Sequence, residues 1–162
     1  MIKGLIKSLS FRQILKLALL VFYKPLYMYP TIKATRKTMM ICDLHYKHVH
    51  HTNGKANAFR HALWNILICK AVFKITKNIR EATIWAEKIT NLHEKIAVNE
   101  LLETAMDLHN NKIGRLYFLD LDKSSDEEMI FYLKEKVEKS IKVTTIKEMK
   151  HYQNDLVYLQ VD

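Results

Sequence analysis

A chain of 162 residues, 49% hydrophobic and 27% charged, can build one core and is neither a disordered nor a low-complexity sequence. Only three Gly and two Pro exclude a many-turned β architecture, so an all-α, single-domain helical bundle is predicted over 1–162. The formal net charge of +9 points to an anionic partner, with an anionic membrane surface or lipid substrate ahead of nucleic acid. No aromatic-basic ribonucleoprotein motif, zinc knuckle or paired Cys/His finger spacing supports the latter.

Residues 1–23 combine Lys3, Lys7, Arg12 and Lys16 with an apolar run too short to span a bilayer. No small-residue cleavage site follows, so a basic helical segment is expected, either on a membrane surface or packed on the core. A Pro-bounded turn through Pro25 and Pro30 comes next, then a helix from about Ile32 to Tyr46. His48–Gly54 reads as a polar turn whose histidines form a solvated cluster with His45. Helices are predicted from about Ala56 to Ile75, from Ile79 to Lys95 after a break at Lys77-Asn78, and from Val98 to Asn111 or on past Gly114 to Phe118. Asp120–Ser125 is a loop, and Ser125 with Glu128 forms a capping box for a helix reaching about Ser140. The tail is ambiguous, with Val143-Thr144-Thr145-Ile146 a candidate extended stretch. Cys42 and Cys69, without CxxC spacing, read as buried free thiols.

The helix after Gly54 is apolar on nearly every side, which marks it as central. Asn57, His61 and Asn65, four apart, draw one polar line along it. Buried polar groups need partners, and the later helices offer them. Glu87, Asn91 and Glu94 recur at helical spacing beside His93, and Glu103, Asp107, Asn110, Asn111 and Gly114 share a face that Arg115 follows. Three helices each carrying a polar line is how bundles build interior sites. His61, Asp107 and Glu94 are therefore the expected catalytic residues, His61 as base or nucleophile with a carboxylate orienting it. Arg60, Asn65, Asn110, Asn111 and Arg115 are the expected substrate-binding residues. No metal is assigned: the ligand types of His61, His93, Glu94, Asp107 and His109 are compatible with a divalent ion. The absence of HExxH, Glu-x-x-His or a paired-carboxylate repeat disfavours one. No cofactor is read from the sequence.

Asn57-Ala-Phe-Arg-His-Ala-Leu-Trp-Asn65, His93-Glu94 and Met106-Asp-Leu-His-Asn-Asn-Lys-Ile-Gly-Arg115 together resemble an uncharacterised bacterial domain family found alone and at the carboxyl ends of polymorphic toxins. The similarity covers about residues 54–115, within a motif-bearing core at 54–118. Members often have Asp at the place of Asn57 and an aromatic residue at that of His109. The Arg-His-x-x-Trp-Asn stretch also bears a faint likeness to the catalytic helix of small prokaryotic phospholipases A2, with Ala62 where those enzymes place Asp. The toxin resemblance implies a hydrolase acting on an envelope component or another cellular polymer.

The reading that joins these features is a membrane-surface hydrolase acting on a lipid or lipid-linked phosphate. A non-catalytic lipid-binding or immunity-type module and a nuclease-like domain are the alternatives. The expected location is cytoplasmic, peripheral at the inner membrane surface.

Overall fold

The computed structural model describes residues 24–97 and 99–160, and the basic segment predicted over 1–23 lies outside them. The described residues are all-α apart from one two-residue strand pair. The principal helices are α1 (Pro25–Tyr46), α2 (Lys55–Thr76), α3 (Ile79–Ile96), α4 (Leu101–Leu121) and α5 (Asp126–Glu138).

α2 is the centre of the bundle because it has no polar face to give to solvent. Fourteen of its residues are buried, from Ala56 to Val72, and it packs against α1, α3, α4 and α5. Its amino-terminal half holds the polar line; its carboxyl-terminal half contributes Ile66, Ile68, Cys69 and Val72 to the core cluster that also holds Phe118, Leu121, Met129 and Leu133. Cys42 and Cys69 are buried free thiols in this core, as predicted.

α1 begins seven residues earlier than the sequence suggests. Pro25 stands at the helix start, where a missing N–H costs nothing, and Pro30 is accommodated inside the second turn. Tertiary bonds hold this stretch. Trp85 Nε1 donates to Thr31 Oγ1 at 2.9 Å, Trp64 Nε1 to Thr35 Oγ1 at 2.8 Å, and Tyr27 Oη to Glu81 at 2.7 Å. The predicted polar turn after α1 is a 3₁₀ helix, Lys47–His51.

The break before α3 is made by Lys77 in the left-handed conformation (φ 53°) and Asn78, whose side chain caps Glu81 N at 3.0 Å. α4 (Leu101–Leu121) runs past Gly114, as in the longer of the two extents read from the sequence, and goes on beyond Phe118 into the first residues of the predicted loop. α5 has the predicted capping box: Ser125 Oγ accepts from Glu128 N, and Glu128 Oε2 accepts from Ser125 N. In the tail the extended residues are Ile141–Lys142 (β1), paired in parallel with Val157–Tyr158 (β2), with a four-residue helix α6 (Ile146–Met149) between them. Val143-Thr144-Thr145-Ile146 is thus not the extended stretch. β2 docks where α2 and α4 meet, its register set by the Asn110 side chain, which bonds both backbone groups of Val157.

No helix among the described residues is long and apolar enough to cross a membrane.

Candidate functional site

The site exists because α2 and α4 approach unusually closely. A Cβ placed on Gly114 would lie 2.5 Å from the carbonyl oxygen of Ala62 and 2.7 Å from its Cα. Two small residues at the crossing let the backbones touch, so the polar lines on both helices face each other at hydrogen-bond range. Ala62, where the phospholipase-like pattern would want Asp, is fully buried at this contact.

His61, Glu94 and Asp107 meet beside this crossing, one residue from each of α2, α3 and α4. All three are buried, at 1%, 4% and 3% exposure, so whatever charge they carry is carried in the interior. His61 Nε2 lies 3.2 Å from Asp107 Oδ1, and His61 Nδ1 lies 3.1 Å from Asn111 Oδ1 and 3.6 Å from Glu94 Oε1.

The hydrogen bonds around His61 determine its tautomer. Arg115 can only donate, and its Nη1 sits 3.1 Å from Asn65 Oδ1, so that atom is the amide oxygen. Asn65 Nδ2 then donates to Asn111 Oδ1 at 2.7 Å and to the His61 carbonyl at 3.0 Å. Asn111 Nδ2 in turn donates to Glu94 Oε1 at 2.9 Å. With Asn111 Oδ1 an acceptor, His61 Nδ1 must carry the proton and donate to it. The Nε2 of a neutral His61 is therefore a bare lone pair, facing the unpartnered oxygen of Asp107. His61 Nε2, Asp107 Oδ1 and Glu94 Oε2 are all buried without a hydrogen-bond partner among the described residues.

Burial sets the protonation states. It holds the His61 imidazole well below its usual pKa, an effect the nearby Arg60 charge reinforces. Burial, followed by the neighbouring Glu94 charge, pushes Asp107 up to about 7, against the opposing pull of Arg60. Glu94 is also raised, mainly by burial, while its bond from Asn111 favours the ionised form. At neutral pH the site has a free imidazole base beside a carboxyl near its midpoint. Asp107 Oδ2 is the edge nearest solvent, where the exposed Asn99 donates to it at 3.3 Å.

The structure thus brings together His61, Asp107, Glu94, Asn65, Asn111 and Arg115. Arg115 also reaches the exposed Glu87, Nη2 to Oε1 at 3.3 Å, so it links the buried network to the surface. Arg60 spends its Nε on the His50 carbonyl at 3.0 Å and acts on the cluster through its charge. Asn110, expected to face a substrate, does not: its amide is fully engaged with Val157 of β2. On α3 Glu94 is joined at the network by Thr90, 3.4 Å from Asn65 Oδ1, rather than by its neighbour Asn91. The spacing Glu87, Thr90, Glu94 carries that signal, although Asn91 is the more polar residue. His93 diverges from Glu94 as expected and packs edge-on against Trp64. His109 bonds the Asp155 carbonyl. The histidine cluster is not wholly solvated: His50 is fully buried and bonded to Asp43 at 2.8 Å, because the 3₁₀ helix turns it inward.

A family model described as a domain of unknown function (DUF6973) matches residues 18–141, an interval that contains α1 to α5 and every residue of the site. No curated protein and no solved structure matches the chain.

Proposed function

We propose that this chain, which belongs to the domain of unknown function family DUF6973, is a hydrolase acting at an anionic membrane surface on a lipid or lipid-linked phosphate. The observation that carries the reading is the convergence of His61, Glu94 and Asp107 from three different helices, with His61 Nε2, Asp107 Oδ1 and Glu94 Oε2 buried and unpartnered among the described residues. An unpaired buried polar group costs about 1–3 kcal/mol, and a fold that keeps three together at one point is built around something that binds there. Acceptors of this kind are what a nucleophilic water needs for orientation and proton removal. Arg115 is the residue for an anionic group, since its Glu87 contact is at the surface and exchangeable. Asn65 and Asn111 hold His61 in its working tautomer. The resemblance to toxin carboxyl-terminal domains agrees with a hydrolytic activity.

Support for the membrane surface comes from α1. Leu26, Tyr29, Met40 and Leu44 are 72–77% exposed. They share an arc of about 100° with Lys33, Arg36 and Lys37. Apolar side chains mixed with cations on one solvent-facing stripe suit an anionic interface. Lys33 and Lys37 also line a groove with Lys70 and Lys74 of α2, in which Asp126 is the acidic residue.

Untargeted lipid mass spectrometry after incubation of the protein with membrane extract tests the reading. A lipid species consumed by wild type and spared by His61→Ala is the expected result; identical profiles would overturn it. The near-complete burial of the cluster favours a second reading, a non-catalytic lipid-binding module. That module would retain an unmodified lipid through purification and leave the extract unchanged.

A further inference from the structure

We infer that His61, Glu94 and Asp107 form a binding site for one divalent metal ion, coordinated through His61 Nε2 and a carboxylate oxygen from each acid. The inference rests on the hydrolase reading of the same cluster and gives His61 Nε2 the role of a ligand, with the ion in place of the free imidazole lowering the proton affinity of the attacking water. Each residue offers one ligand atom, and these atoms lie within 4.8 Å of one another. Tetrahedral bonds of about 2.0–2.2 Å to nitrogen and oxygen hold neighbouring ligands about 3.3–3.6 Å apart, a spacing close to the 3.2 Å between His61 Nε2 and Asp107 Oδ1.

Simpler occupants leave the arrangement unexplained. A proton between Nε2 and Asp107 Oδ1 satisfies those two atoms and leaves Glu94 Oε2 bare. A water alone has two hydrogens for three acceptors, so a protonated Asp107 and a water on Glu94 would have to act together to replace one ion. A divalent cation satisfies all three acceptors and both charges. The surroundings are also those of a metal-ligating histidine. Nδ1–H is fixed on Asn111 Oδ1, which aims Nε2, and Asn111 Nδ2 holds the second oxygen of Glu94, which aims Oε2. Arg115 and Asn65 fix Asn111 in turn. One imidazole with two carboxylates suits a first-row transition ion, with Mn²⁺ and Zn²⁺ as the practical probes. Such an ion bound with an open position would acidify a water toward neutrality.

The whole 162-residue chain, stripped with chelator, should take up one equivalent of Mn²⁺ by electron paramagnetic resonance and of Zn²⁺ by calorimetry. Its melting temperature should rise with ion concentration, as binding to the native state alone requires. Affinity should fall at least tenfold in His61→Ala, Glu94→Gln and Asp107→Asn. It should be unchanged in the Asp43→Asn, His51→Ala double variant, which removes the other group of metal-capable side chains, Asp43, His50 and His51. Wild type that neither binds nor is stabilised by either ion overturns the inference, whatever the variants do. So does binding lost only in the double variant. Metal uptake without lipid hydrolysis would sink the hydrolase reading and leave the site standing. Full hydrolysis by chelator-stripped protein that also takes up neither ion would do the reverse.

Discussion

Asn65 Nδ2 donates to Asn111 Oδ1 at 2.7 Å, and that one bond decides which nitrogen of His61 is protonated. Since Asn111 Oδ1 is already an acceptor, His61 Nδ1 must donate to it, and Nε2 is left free toward Asp107. The first prediction tests this relay. Asn111→Ala leaves Asn65 Nδ2, His61 Nδ1 and Glu94 Oε1 short of a partner and should cost about 1–3 kcal/mol of stability in urea unfolding. Nitrogen NMR of the imidazole should report an Nδ1–H tautomer in wild type and a mixture in the variant. An Nε2–H wild type would contradict the network as described.

The α2–α4 crossing makes a second, independent prediction. Gly114→Ala puts a Cβ 2.5 Å from a backbone oxygen, which no rotamer change can relieve, so the two helices must move apart. Overpacking of this kind costs about 1–3 kcal/mol, and here it also lengthens the contacts between His61 and α4. Lower stability and lower activity should appear together. A variant as stable as wild type would show that the crossing is looser than described.

Protonation gives the third prediction, made on metal-free protein. Asp107 is raised from 3.8 to about 7 in the fold, so between those values the native state holds a proton that the unfolded state has released. Stability must then fall as pH rises through about 4 to 7, and level off above. His61, held low by burial, acts in the opposite sense, its contribution being lost as pH falls. Comparison with Asp107→Asn cancels that background. Stability of wild type minus variant should decline from pH 4 to 7 in thermal melts; parallel curves would show Asp107 ionising at its ordinary value.

These predictions draw on features that the sequence reveals unevenly. The capping box at Ser125, the break at Lys77-Asn78 and the polar line Asn57, His61, Asn65 are local, and local spacing displays them. That three polar lines meet is legible too, because buried polar groups require partners. Which residue of each line faces inward is set by how helices dock. Asn91 lost its place to Thr90 through α3's rotation, and Asn110 was taken by β2, whose position depends on a tail with no strong periodicity. Pro30 sits inside α1 because Trp85 and Glu81, more than fifty residues away, hold the flanking turn. The metal ligands come one per helix, so no HExxH-like spacing exists to announce them.

The last prediction concerns α1's outer stripe, which lies within the described residues and can be tested apart from the segment 1–23. Lys33 and Arg36 stand among the exposed Leu26, Tyr29, Met40 and Leu44, and Lys74 of α2 faces Lys33 across the groove. Each cation near an anionic leaflet contributes about 1 kcal/mol, so removing three should weaken binding by roughly 100-fold at low salt. The variant Lys33→Gln, Arg36→Gln, Lys74→Gln should therefore sediment poorly with phosphatidylserine vesicles that retain wild type. Neutral vesicles should retain neither protein, and wild-type binding should decline as salt rises and the Debye length shortens. Lys37 is left in place because its ion pair with Asp126 ties α1 to α5, and losing that pair would confuse docking with folding. Retention of the variant at wild-type levels would move the membrane contact off this stripe. Equal retention on neutral vesicles would show that apolar insertion, rather than charge, governs the contact.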